Sequence, residues 1–357
     1  MDPKLKEEKI NLLKEKLQNF CSSAINLAKN YPDCKTFYLQ TILDKKETAK
    51  LDDFEEQPFE NCFAIKNQLN KIAVGILSSA GLKLNQSDPH LHITFDFKEN
   101  KVSLKHSNIY IFAHYLKKSR EFAQHIWACP SCKGKGCKNC NFKKEKFPSI
   151  ESALRDIFIK AFSASDLLFH ASGREDVDVM TLGSGRPCVI EIVNPKKHNL
   201  NLNELAEKLK QSYPIELIDP IFVKKFFVEA VCNSHFNKVY LAKIGSKTRN
   251  LNKEDFLKIS KNLPILIKQR TPTRVLKRRS DLIRPRHIFD ISLKSINDGK
   301  LELLIYAEAG TYIKEFVSGD DGRTNPSISS ILGIDCICEE LTLIEVKDFF
   351  IKTLLLN

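Results

Sequence analysis

Four cysteines, Cys129, Cys132, Cys137 and Cys140, form two Cys-x-x-Cys pairs separated by four residues. Thiolates two residues apart converge on one metal ion, and a second pair completes a tetrahedral sulfur set. Gly134 and Gly136 permit the tight backbone between the pairs. Residues 126–147 carry six lysines (133, 135, 138, 143, 144 and 146) and almost no aliphatic side chain. Without a metal that segment has little apolar surface to fold around, so a structural zinc is expected. Sulfur fills every position, which leaves no place for a catalytic water. A redox dithiol is the alternative, and it would not need the second pair. The other seven of the eleven cysteines are scattered in mostly apolar contexts and read as buried thiols.

This module, 126–147, divides the chain. Before it, Ile10, Leu13, Leu17 and Phe20 recur at helical spacing within a helix over 4–29. Ile65, Leu69, Ile72, Ile76 and Leu77 line a second helix ending near Gly81. His92–Phe97 and Val102–His106 alternate around a polar turn, as a hairpin does. Residues 1–125 thus read as a mixed α/β domain. After the module, helices are expected over Ile150–Phe162, Leu202–Ser212 and Lys253–Leu263. Strands are expected over Cys188–Val193, Phe222–Val231, Val239–Ile244, Ile288–Leu293, Lys300–Ala309 and Leu341–Val346. Residues 148–357 read as one α+β domain of ordinary size. No apolar run approaches the ~20 residues of a membrane span. The charged N-terminus lacks a signal-peptide core, so the protein is expected inside the cell, in the cytoplasm, the nucleus or both.

The net charge of +12 raises the prospect of a polyanionic partner, and clustering decides. From Lys268 to Arg286 run eight cations, opposed within the run by Asp281 alone: Lys268, Arg270, Arg274, Lys277, Arg278, Arg279, Arg284 and Arg286. Arginine leads lysine six to two here, in a chain otherwise rich in lysine. Guanidinium forks suit bidentate phosphate contacts, so the run reads as an RNA-binding strip. A solvated face or a nuclear address is the plainer alternative.

The candidate centre of chemistry is Ser172-Gly173-Arg174-Glu175-Asp176-Val177-Asp178-Val179, followed by Leu182-Gly183-Ser184-Gly185-Arg186-Pro187. A Gly-Arg-x-Asp turn beside a strand can hold one carboxylate rigidly next to a cation. Taken alone, Asp176 reads as a turn-capping or salt-bridging aspartate, and Asp178 competes with it as the active carboxylate. Gly183-x-Gly185 precedes a strand, whereas a dinucleotide loop follows one. No P-loop and no Ser-His-Asp arrangement stands out.

These residues resemble the tRNA pseudouridine synthases of archaea and eukaryotes that act on T-loop uridines. Colinear matches run through Cys129–Cys140, Gln269-Arg270-Thr271-Pro272-Thr273-Arg274-Val275 with Arg278-Arg279, Gly310-Thr311-Tyr312-Ile313-Lys314-Glu315-Phe316, and Gly322-Arg323-Thr324 with Pro326-Ser327-Ile328. The resemblance implies a synthase domain over 148–357 with a mainly antiparallel sheet flanked by helices. It also implies an RNA-binding accessory domain of THUMP type within 1–125. Asp176 stands where the family has its catalytic aspartate, and Lys314 where a basic residue pairs with it. Tyr240 and Tyr312 fall at the uridine site, and Arg174 is expected at the substrate. No cofactor beyond zinc is implied. The expected partner is tRNA, bound by a monomer, with no membrane and no small-molecule cosubstrate. Met180 replaces a usual arginine and Lys277 a usual histidine. A non-catalytic tRNA-binding or chaperone protein would use the same zinc, basic run and accessory domain. A methyltransferase would need a cofactor loop that is not evident.

Overall fold

The N-terminal periodicity becomes helix α1 (Pro3–Lys29), and the second apolar stripe becomes helix α2 (Pro58–Ser79). The structure, a computed structural model, describes residues 3–43 and 58–356. The chain divides into two compact units. One is Met1–Ile109 with Phe158–Asp166 and Ile192–Leu200; the other is Tyr110–Ile157 with Leu167–Glu191 and Asn201–Asn357.

In the first unit a four-stranded sheet has the order β2-β1-β3-β4. The strands are β1 (Thr36–Ile42), β2 (Lys83–Leu84), β3 (Leu91–Asp96) and β4 (Lys101–His106). β1 pairs in parallel with β2 and β3, and β3 with β4 forms the expected hairpin. Leu91, Ile93 and Phe95, on alternate positions of β3, are fully buried with Leu17, Cys21 and Leu77. Phe20 closes that core against Phe95 and Phe97, at ring distances of 5.7 and 5.0 Å.

The second unit is built on ten strands: β5 (Ile109–Lys117), β6 (Asp166–Ala171), β7 (Val179–Val193), β8 (Ile215–Val223), β9 (Lys238–Ser246), β10 (Ile265–Arg270), β11 (Ile283–Asn297), β12 (Lys300–Ala307), β13 (Thr324–Asn325) and β14 (Cys336–Val346). Their order is β13-β10-β11-β12-β9-β14-β7-β5-β8, with β6 on β7. The sheet is mixed, where a mainly antiparallel one was expected. β10 through β12, β9 and β14 pair antiparallel, but β14 runs parallel to β7 with Leu341 opposite Val179. A parallel pair needs a long crossover, and here the chain between β7 and β14 supplies it. Ile244, Leu301, Leu303, Ile305 and Phe316 are fully buried in the core on this sheet.

Helices fall over Ile150–Phe162 and Leu202–Ser212 as the periodicity requires. The expected strand Phe222–Val231 is instead the end of β8 followed by a helix, Phe226–Cys232. Phe227 and Val231 are buried four residues apart, so the apolar run meets the core at a helical period. Among the described residues, no helix is long and apolar enough to cross a membrane.

Candidate active site

The stretch from Ser172 to Asp178 connects β6 to β7 and carries Asp176. Two buried cations hold this connection from below. Arg186, on β7, is 1% exposed; its Nε lies 2.9 Å from Oε2 of Glu175, itself 2% exposed. Arg186 Nη1 donates to the Ser172 carbonyl at 2.7 Å. The Tyr115 hydroxyl lies 2.8 Å from each Glu175 oxygen, and Gln124 Nε2 donates to that hydroxyl and to the Gly173 carbonyl. Removing one partner of a buried pair strands the other charge, at about 3–5 kcal/mol. The pair therefore fixes the loop strongly.

Lys117, the last residue of β5, is the second cation and is 0% exposed. Its ammonium donates to the carbonyls of Phe122, Asp176 and Val177 at 2.8, 3.0 and 2.8 Å. Three donors meet three acceptors, so the Asp176–Val177 backbone is held by a fully used ammonium group. Burial pushes the Lys117 pKa down to about 8, against the raising effect of Glu175 and Asp178.

Above the loop Asp176 faces Arg274. Arg274 Nη1 donates to Asp176 Oδ1 at 2.8 Å and lies 2.7 Å from Oδ2. Its Nε donates to Oε1 of the buried Glu315 at 2.6 Å. Burial opposes the charge on Arg274, but Glu315 and Asp176 outweigh it and push its pKa up. Lys314 lies 3.6 Å from Asp176 and donates to both Asp178 oxygens at 2.7 Å. Burial acts to raise the Asp178 pKa, and the Lys314 hydrogen bond and charge carry it below the ordinary carboxylate range. Asp176 thus sits between two cations, with Arg274 the nearer. Its side chain is 38% exposed, accessible to a substrate.

Tyr312 is set by Gln269, which donates from Nε2 to the Tyr312 carbonyl at 3.0 Å and accepts the Tyr312 N–H at 2.8 Å. The Arg274 guanidinium lies 5.8 Å from the Tyr312 ring centre. Tyr240, on β9, lines the same cleft, and burial pushes its hydroxyl pKa up, so the phenol stays neutral. The cleft holds about 370 Å³ and is walled by Trp127, Arg174, Asp176, Tyr240, Arg274, Arg279, Tyr312 and Lys314 among others.

The basic run folds as the end of β10, a short 3-10 turn (Thr273–Arg278) and the start of β11. Its charges take different tasks. Arg274 serves the carboxylates. Arg270 pairs with Asp281 at 2.7 Å, and Arg286 lies 3.5 Å from Glu308. Lys277, Arg279 and Arg284 are exposed; the side chain of Arg278 lies outside the described residues.

The four-cysteine segment brings Cys129 Sγ within 4.0 Å of Cys137, Cys132 within 3.9 Å of Cys140, and Cys137 within 3.8 Å of Cys140. Tetrahedral zinc with sulfur at about 2.3 Å sets sulfur pairs about 3.8 Å apart. The four thiols therefore fit such an ion.

Sequence reasoning missed Tyr115, Lys117 and Gln124, which support the loop from about fifty to sixty residues upstream. The available signal was a lysine closing the apolar strand Ile109–Leu116.

A carboxylate set between cations, with tyrosine walls and a cationic rim, makes a carboxylate-centred candidate site. Residues 110–347 match the family described as Pus10, C-terminal. Curated relatives carry the name "tRNA pseudouridine synthase Pus10". The protein of Methanocaldococcus jannaschii is 33% identical over 94% of this chain and 73% of its own. That of Korarchaeum cryptofilum is 36% identical over 76% and 74%, and that of Methanothermobacter marburgensis 38% over 80% and 71%. The chain belongs to the Pus10 family. Among solved structures, a Cbf5-Nop10-Gar1 complex is similar at a TM-score of 0.34 and 16% identity, over 66% of this chain and 58% of that one, a likeness too distant to say more.

Proposed function

We propose that this chain is a tRNA pseudouridine synthase, an isomerase that converts uridine to pseudouridine in the T-loop, at position 54, 55 or both, with Asp176 as the catalytic carboxylate. The carrying observation is Asp176 between Arg274 and Lys314 in a cleft lined by Tyr240 and Tyr312, in a chain of the Pus10 family.

The reaction breaks the N1–C1′ bond of uridine, joins C1′ to C5 and releases the C5 proton, while N1 takes up a proton. It is redox-neutral. Asp176 acts ionised, whether as nucleophile or as base at the ribose C2′, and the cations beside it favour that form. The target base must leave its stack, and tyrosine rings offer it a replacement surface. Lys314 reaches Asp176 while anchored on Asp178, so it supports the carboxylate together with Arg274. Arg174 is read as a contact to the substrate, and Arg270, Arg274, Lys277, Arg278, Arg279, Arg284 and Arg286 as the RNA-binding set.

Cys129, Cys132, Cys137 and Cys140 would hold zinc as a scaffold, and zinc would supply no step of the reaction. We read 1–125 as the THUMP-type RNA-binding domain, 126–147 as the zinc module and 148–357 as the synthase domain of a monomer working inside the cell. Incubating the protein with an unmodified tRNA transcript and mapping pseudouridine tests the reading. Conversion at 54 or 55 is expected, and no pseudouridine at any position would overturn it.

A further inference from the structure

Trp127, the one tryptophan of the chain, stands two residues before Cys129. It lines the cleft that holds Asp176. The backbone from 127 to 129 pairs with that from 144 to 146. Lys146 N donates to the Trp127 carbonyl at 2.8 Å, Cys129 N donates to the Lys144 carbonyl at 2.9 Å, and Ala128 bridges Glu145 antiparallel. These rungs make a neck, and the four cysteines close the loop beyond it. At the base of the neck Phe147 sets its ring at 69° to the indole, 5.7 Å away. The Arg174 guanidinium, which lines the same cleft, lies 5.3 Å from the indole centre.

The arrangement joins two features that the reaction keeps apart. A tetrathiolate metal would fix the loop, and the loop fixes the neck that carries Trp127. The indole is a large π surface among charged residues in a cleft meant for a nucleic acid. A uridine drawn out of its stack leaves a neighbouring base without its partner, and an aromatic face can replace that partner. We propose that the metal-bound four-cysteine loop is part of the substrate site: it positions Trp127, on whose indole an unpaired nucleobase of the RNA stacks, beside the uridine at Asp176. The inference rests on the reading of this chain as a tRNA-binding enzyme.

The single tryptophan supplies the test. The zinc-loaded full chain is titrated with unmodified tRNA transcript while Trp127 emission is followed, and affinity is measured in parallel by filter binding. Saturation with tRNA should quench the emission. Trp127→Ala should weaken binding about tenfold, and Trp127→Phe should recover it to within about threefold. Stripping the metal with a chelator should cost a similar factor, and Trp127→Ala should add little to that loss. Unchanged emission at saturation, native affinity in Trp127→Ala, or native affinity in the metal-free protein would each overturn the proposal. Pseudouridine is assayed on the same samples. A wild type that quenches but makes none refutes the catalytic reading alone; one that makes it without any tryptophan response refutes this inference alone.

Discussion

At the scale of single residues the site depends on who holds Asp176. Arg274 and Lys314 face its carboxylate, and Lys117 holds its carbonyl from inside the sheet. Lys117→Met removes two hydrogen bonds from the loop, to the carbonyls of Asp176 and Val177, and a third from the Phe122 carbonyl. Small misplacements of a reacting group cost up to about a hundredfold, so kcat should fall about ten- to a hundredfold while KM for tRNA changes little. Steady-state kinetics on a transcript check this. The buried ammonium also predicts a pH effect. Its pKa is depressed to about 8, so it is charged below that pH and neutral above it. The neutral amine has one N–H fewer and must leave one carbonyl unpaired. The rate should therefore decline as pH rises through about 8, and Lys117→Met should lack that limb. The structure gathers Asp176, Tyr240, Tyr312 and Lys314 in one cleft, and Asp176, Tyr312 and Lys314 could be singled out in the sequence because each lies in a short motif. Lys117, Tyr115 and Gln124 could not, because their contacts to the loop span long stretches of chain that no local pattern records. The same limit hid the preference of Lys314 for Asp178 and of Arg274 for Asp176.

At the scale of elements, β7 carries the loop onto the sheet and its glycines explain how. Gly183 lies at φ 59°, and a Cβ there would stand 2.1 Å from the Ile344 carbonyl oxygen of β14. Gly185, at φ 74°, would bring one within 3.1 Å of the Tyr115 carbonyl oxygen. The pair that resembles a nucleotide loop thus allows neighbouring backbones to approach β7 closely. Gly183→Ala should destabilise the protein by more than about 1 kcal/mol, since both backbone angle and space oppose it; chemical denaturation measures the loss. Helices with a full amphipathic period, such as Ile150–Phe162, were readable to the residue. The run at 222–231 was not, because a short apolar stretch fits a strand and a buried helix equally, and only its burial at Phe227 and Val231 distinguishes them. The parallel pairing of β7 with β14 was also invisible, since strand patterns carry no direction.

At the scale of the whole molecule, the charge of +12 is used in two ways. Part of the basic run is neutralised internally, through Asp176, Glu315, Asp281 and Glu308, and part is displayed at Lys277, Arg279 and Arg284. Only displayed charge releases counterions from RNA. The affinity for tRNA should fall with salt, and replacing Lys277 and Arg284 together by glutamine should lower the log–log slope by about one to two. An unchanged slope would place the RNA elsewhere. The claim on which the rest depends is that Asp176 performs the isomerisation. Joining C1′ to C5 must expel the C5 hydrogen, so a transcript labelled with tritium at C5 of uridine reports the reaction directly. The wild-type protein should release tritium matching one or two uridines per tRNA. Asp176→Ala should bind the transcript and release about a thousandfold less or none; release at the wild-type rate from Asp176→Ala would contradict the account.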